Sequence, residues 1–147
     1  MRSVRRSRHN VYQIHYHFVT PMKYRWNVFG KPNREHALRN IIKGLEERYD
    51  FWFEEIGIDK NHVHWLVGAS PKYSPSAIIR VIKSISGKEM FRLCPELREE
   101  LWGGELWTDG YYVATVGEGG NREVIRSYVS NQGKKIEDSG QVRLFKP

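Results

Sequence analysis

Two short stretches hold side chains whose types and spacing can do chemistry. Asn61-His62-Val63-His64-Trp65-Leu66-Val67 is dominated by apolar and β-favouring residues and reads as a strand. Alternation along a strand puts His62 and His64 on one face and Val63 on the other. Arg126-Ser127-Tyr128-Val129-Ser130-Asn131-Gln132 reads as a helix, where residues four apart share a face, so Tyr128 and Gln132 project together. Packing that helix on the strand would gather two imidazoles, a carboxamide oxygen and a phenol. Neutral imidazoles with one oxygen donor and open positions suit a divalent ion, Mg²⁺ or Mn²⁺ where phosphate supplies further oxygens. Such an ion is a Lewis acid toward a phosphodiester. Tyrosine suits the attacking role because a phosphotyrosine link keeps the energy of the broken phosphodiester, so rejoining needs no ATP. Its phenol, with an ordinary pKa near ~10, needs activation, and no general base stands beside it in the sequence. The chain also carries a rival pair, His15 and His17. Spacing alone does not decide between the two pairs.

A chain of 147 residues with 39% hydrophobic and 28% charged side chains reads as one globular domain over residues 1–147. A formal charge of +7 and a pI near 9.6 favour a polyanionic partner, nucleic acid before an anionic membrane. Aromatic residues at 13% add stacking surfaces of the kind single strands use. Cys94 is the single cysteine, which excludes an internal disulfide and a cysteine-based zinc site. The lack of a long apolar run leads us to expect a cytoplasmic protein, nucleoid-associated when bound to DNA, with no membrane partner.

The elements that must position these residues follow from pattern. Arg2, Arg5, Arg6 and Arg8 make a basic N-terminal arm over residues 1–9, suited to phosphates or simply solvated. Val11 to Thr20 alternates as one strand, and Lys23-Tyr24-Arg25-Trp26 reads either as a nucleic-acid contact or as an exposed edge strand. A helix is expected from Asn33, as N-cap, to Tyr49, with Leu38, Ile41, Ile42 and Leu45 inward. Phe51 to Ile58 and His62 to Gly68 form a hairpin across Asp59-Lys60-Asn61. Ser74-Pro75 starts a second helix, with Ile78, Ile79, Ile82 and Ile85 inward and Arg80, Lys83 and Lys88 on a basic side that can face DNA or water. After a helical turn and loop, Tyr111 to Val116 is a strand. Gly117, Gly119 and Gly120 then make a joint before the last helix, and residues 134–147 are a polar tail. The order strand, helix, hairpin, helix, strand predicts a ferredoxin-like β-α-β-β-α-β antiparallel sheet of the α+β class, helices on one face, with an extra C-terminal helix bearing the tyrosine.

The sequence resembles the single-tyrosine HUH transposases of the bacterial insertion-sequence 200/605 group from about Tyr16 to Gln132. The resemblance is carried by Phe18-Val19-Thr20 with Lys23-Tyr24-Arg25, by His62-Val63-His64, by Ser74-Pro75-Ser76 with Ile82-Lys83, by Leu101-Trp102-Gly103-Gly104, by Leu106-Trp107-Thr108-Asp109-Gly110-Tyr111 to Gly117, and by Tyr128 with Asn131-Gln132. It implies that His62, His64 and Gln132 hold the metal, in preference to His15 and His17, and that Tyr128 is the nucleophile. It also implies a homodimer in which one subunit's tyrosine helix completes the other's site, with the glycine joint suited to that exchange. The implied substrate is single-stranded DNA with hairpins near the element ends, cut to a 5′-phosphotyrosine and a 3′-OH. One position departs from the pattern: Asn61 stands where relatives usually carry Asp, which removes a charged orienting partner for the imidazole. Other readings of the same residues are an HUH nickase that initiates replication, a domesticated relative acting on repeated palindromes, and an inert hairpin-binding module.

Overall fold

The computed structural model describes residues 4–6, 9–117, 126–127 and 129–130. A two-residue strand β1 (Arg5–Arg6) pairs antiparallel with β2 (Val11–Tyr12). The main sheet comprises β3 (His15–Pro21), β4 (Phe51–Ile58), β5 (His62–Ala69) and β6 (Tyr112–Thr115) in the order β4-β5-β3-β6, every pairing antiparallel. With helices α1 (Pro32–Arg48) and α2 (Pro75–Leu93) between strands, this is the expected ferredoxin-like arrangement. A four-residue helix α3 (Leu97–Glu100) follows α2.

The hairpin forms where alternation and the Asp59-Lys60-Asn61 turn place it, and α2 starts at Ser74, whose hydroxyl accepts from the Ala77 amide at 3.1 Å. Three expectations change. Val11 to Thr20 is two strands, interrupted at Gln13-Ile14, because Val11–Tyr12 turns to pair with the arginine arm while Ile14 bonds the Ala69 amide. Helix α1 begins one residue before Asn33: Pro32 takes the first helical position, where its fixed φ and missing N–H cost nothing, and Lys31 is the N-cap without a side-chain bond. Lys23–Arg25 is a tight turn, closed by bonds from the Arg25 amide to the Met22 carbonyl and from the Trp26 amide to the Lys23 carbonyl, not an edge strand.

One face of the sheet meets the helices. Phe18, Val63, Trp65 and Val67 pack with Leu38, Ile42 and Leu45 of α1 and Ile78, Ile79 and Ile82 of α2. Each such side chain contributes about 1.5–3 kcal/mol by leaving water. Both indoles in this layer are paired: Trp65 Nε1 donates to Thr20 Oγ1 at 2.8 Å and Trp107 Nε1 to Ser86 Oγ at 3.0 Å. Arg34, wholly buried, bonds the Val28 carbonyl and forms a two-pronged pair with Glu100, which ties α1 to α3. Among the described residues no helix is long and apolar enough to cross a membrane.

Candidate metal centre and its surroundings

Register fixes what the other sheet face carries. Val19 lies opposite His64, Leu66 opposite His17, Pro21 opposite His62 and Gly68 opposite His15. Opposed residues share a face, so all four histidines lie on the side away from α1 and α2. The two His-x-His pairs are therefore not alternatives but neighbours. His62 and His64 have ring centroids 5.1 Å apart, and His17 Nε2 lies 3.0 Å from His64 Nδ1 with the two rings nearly parallel. His15 turns elsewhere, its Nε2 lying 2.9 Å from Glu54 Oε1. A bulge between Phe53 and Glu55 makes that possible, since it lets both Glu54 and Glu55 reach this face.

Burial disfavours the charged imidazole. His64, 3% exposed, is pushed down to about 2 by burial and then by His17 and His62; burial pushes His17 down to about 4. His62, part-buried at the strand's start, is also lowered, by burial first and by Arg25, with Asp59 opposing. All three rings are thus neutral near pH 7 and offer nitrogen lone pairs. The tautomers are steered as well. His62 Nδ1 lies 2.8 Å from Asn61 Oδ1, which as an acceptor puts the proton on Nδ1 and the lone pair on Nε2. Ligation through His64 Nε2 likewise needs the proton on Nδ1, pointed at His17 Nε2. Neutral, adjacent and oriented imidazoles fit a divalent ion. Among the described residues no group of three or more His, Cys, Asp or Glu converges on one point, so the described donors are this pair.

The remaining expected residues divide by location. Tyr128, Gln132, Gly119, Gly120 and Arg8 lie outside the described residues. Arg126, Ser127, Val129 and Ser130 are helical, and Arg126 Nη2 lies 3.6 Å from Glu55 Oε1. Glu55 pairs with Leu66, so this helical segment meets the histidine face. Val129 and Leu66 are both buried yet stand outside the helix-side core. Gly117 is exposed after β6.

Among the basic residues, Arg5 has its guanidinium 4.1 Å from the Trp52 ring centroid, so it packs on the sheet, while Arg6 is exposed. Lys83 differs from the expected DNA contact: its ammonium donates to the carbonyls of Thr108 at 2.8 Å and Gly110 at 2.9 Å, clasping the loop before β6. Burial lowers its pKa. Lys83 and exposed Lys88 border a cleft of about 720 Å³ that also presents Arg80, Arg98, Phe91 and Tyr111 and is lined by neither His62 nor His64. Arg25, by contrast, is exposed beside the pair and its charge is felt at His62. Tyr24 and Arg25 have φ of 60° and 54°. Non-glycine residues held there cost of order 1–3 kcal/mol each and concentrate at functional sites.

The sequence did not single out His17 as a partner of His64, because the pairing spans 47 positions and depends on strand register. The only signal was the second His-x-His itself.

Together these features define a basic α+β protein with a ferredoxin-like sheet and an imidazole pair on its second face. Residues 10–132 match the family described as Transposase IS200 like, and the chain belongs to that family. It is 30% identical over 132 residues to the ISDra2 transposase TnpA of Deinococcus radiodurans, covering 90% of this chain and 93% of that protein. It is 30% identical over 139 residues to the transposase for insertion sequence element IS200 of Salmonella typhimurium, covering 95% and 90%. A crystal structure of a transposase from Deinococcus radiodurans superposes with a TM-score of 0.65 at 29% identity, covering 89% of this chain and 99% of the other. A REP-associated tyrosine transposase bound to a REP hairpin shares the fold alone, with a TM-score of 0.59 at 10% identity over 85% of this chain and 69% of that one.

Proposed function

We propose that this transposase-family enzyme cleaves and rejoins single-stranded DNA bearing hairpin ends, with Tyr128 as nucleophile. The phenol oxygen of Tyr128 attacks a backbone phosphorus; the new P–O bond forms as the bond to the 3′ oxygen breaks, and that oxygen leaves as a 3′-OH after taking a proton. A 3′-OH later attacks the phosphotyrosine, restoring a phosphodiester and releasing the phenol. His62 and His64, with Gln132 as third donor, would hold Mg²⁺ or Mn²⁺. The ion supplies Lewis-acid polarisation of the phosphate. Asn61 and His17 orient the two imidazoles, and burial keeps them neutral.

The observation that carries this reading is the pairing of His62 and His64 on the face met by the Arg126–Val129 segment, the segment that contains Tyr128. Arg25 stands beside the pair to receive a phosphate. Arg6, Lys23 and the cleft edged by Arg80, Lys88 and Arg98 would take further backbone phosphates, with Lys83 shaping the cleft. The hairpin named for the REP-associated relative supports a hairpin as the structured part of the substrate. The enzyme acts as a dimer, Gly117 to Gly120 letting the tyrosine helix serve either site. The test mixes protein, a 5′-extended single-stranded hairpin and Mg²⁺, and looks for a covalent adduct on a denaturing gel. His64→Ala is expected to lose cleavage while keeping most DNA binding; unchanged cleavage removes the metal assignment. Joining of two element-derived ends separates a transposase from an initiator nickase.

A further inference from the structure

We propose that Tyr24 and Trp102 form a platform on which an unpaired DNA base stacks at the His62 end of the sheet, an inference that rests on the single-strand reading above. The two rings are stacked on each other, centroids 6.3 Å apart and planes 21° from parallel. Both are open to solvent: Tyr24 is 56% exposed and Trp102 81%. An indole this exposed has a π-face available to a base, and base–aromatic stacking is the sequence-tolerant part of single-strand binding.

The platform is built, and built beside the histidines. Pro21, the last residue of β3, pairs with His62, and the Met22 amide donates to the Asn61 carbonyl at 2.9 Å. Lys23–Arg25 therefore leaves the sheet next to His62. The Lys23 amide bonds the Leu106 carbonyl at 2.8 Å, which ties the turn to the loop carrying Trp102. Two successive left-handed residues, Tyr24 and Arg25, turn the chain here and leave both exposed. On the other side, buried Leu101 anchors the loop, and Gly103 lets it close up: a Cβ there would sit 3.3 Å from the Tyr24 hydroxyl. Lys23, whose ammonium is paired with Glu105 at 2.9 Å, lies 5.6 Å from the Tyr24 centroid, so one cation sits beside the rings. A strand whose phosphate reaches Arg25 can lay its neighbouring base on Trp102.

The experiment titrates full-length protein into fluorescein-labelled dT20 and into a 20-mer of the same charge whose central residues are abasic, reading anisotropy at fixed salt. Wild type is expected to favour dT20. Trp102→Ala is expected to weaken dT20 binding about tenfold and to leave the abasic strand unchanged, with Trp102→Phe between. Tyr24→Gly, which relieves the positive φ, is expected to raise the melting temperature while lowering dT20 affinity. A wild type indifferent to the bases, or a Trp102→Ala protein that binds dT20 as wild type does or loses both strands equally, overturns the platform. These outcomes are independent of the catalytic reading: base-dependent binding without any covalent adduct would keep the platform and remove Tyr128, and an adduct with an inert Trp102 would do the reverse.

Discussion

His17 Nε2 sits 3.0 Å from His64 Nδ1, joining neighbouring strands on the sheet face opposite the helices. The contact makes His17 a support for His64. Partners of this kind fix the tautomer and orientation of a ligating ring, and losing one commonly costs 10–100-fold in metal affinity. His17→Phe is therefore expected to weaken Mn²⁺ binding about tenfold or more by calorimetric titration, with the melting temperature little changed because Phe fills the buried space. His17→Gln, which returns an acceptor oxygen, is expected to recover part of the affinity. Unaltered Mn²⁺ binding in His17→Phe would remove the orienting role.

Asn61 makes the corresponding contact to His62 Nδ1 at 2.8 Å, without charge. Asn61→Asp supplies a charged acceptor and is expected to raise Mn²⁺ affinity severalfold, whereas Asn61→Ala lowers it. The same titration checks both, and an effect of equal sign in the two variants would contradict the hydrogen-bond account.

Arg34 and Glu100 tie α1 to α3. Bonding to Arg34, more than any other cause, holds the Glu100 carboxyl down to about 2 from 4.5. A carboxyl lowered on folding stabilises the fold above its unfolded value and loses that contribution as pH falls toward its folded one. Stability from this pair should thus be complete above about pH 5 and fade down to about pH 2. Glu100→Gln is expected to cost about 1.5–3 kcal/mol at neutral pH and to flatten the acid limb of the stability curve. Chemical denaturation at several pH values reads both effects.

Gly68 faces Trp52 so closely that a Cβ would lie 2.3 Å from the indole. Gly68→Ala must displace Trp52, and with it the stacked Arg5, at a cost of about 1–3 kcal/mol by thermal or urea unfolding. A neutral result would mean that Trp52 and the β1–β2 arm yield freely.

Much of this was legible in the chain. The hairpin at 51–58 and 62–69 and the Ser74-Pro75 start of α2 are local signals, with period-two alternation and a capping hydroxyl acting over a few residues. The facing of His62 and His64 followed from the same alternation. What the sequence hid depends on contacts far apart. Nothing local marks Arg34 for burial, because its partner Glu100 lies 66 positions on. His17 looks like a rival of His64 until register makes it a neighbour. The left-handed turn at Tyr24 and Arg25 has no glycine to announce it; the bonds from Met22 and Lys23 to two separate segments impose it.

The central claim is that the phenol of Tyr128 bonds to DNA, and mapping the linked residue tests it most directly. The adduct formed on a hairpin substrate with Mg²⁺ would be trapped, digested with nuclease and trypsin, and sequenced by mass spectrometry. The account predicts a nucleotide mass on Tyr128, within the tryptic peptide 127–134 released by cleavage after Arg126, and no adduct from Tyr128→Phe. A nucleotide on another residue, or an adduct that survives Tyr128→Phe, would contradict it.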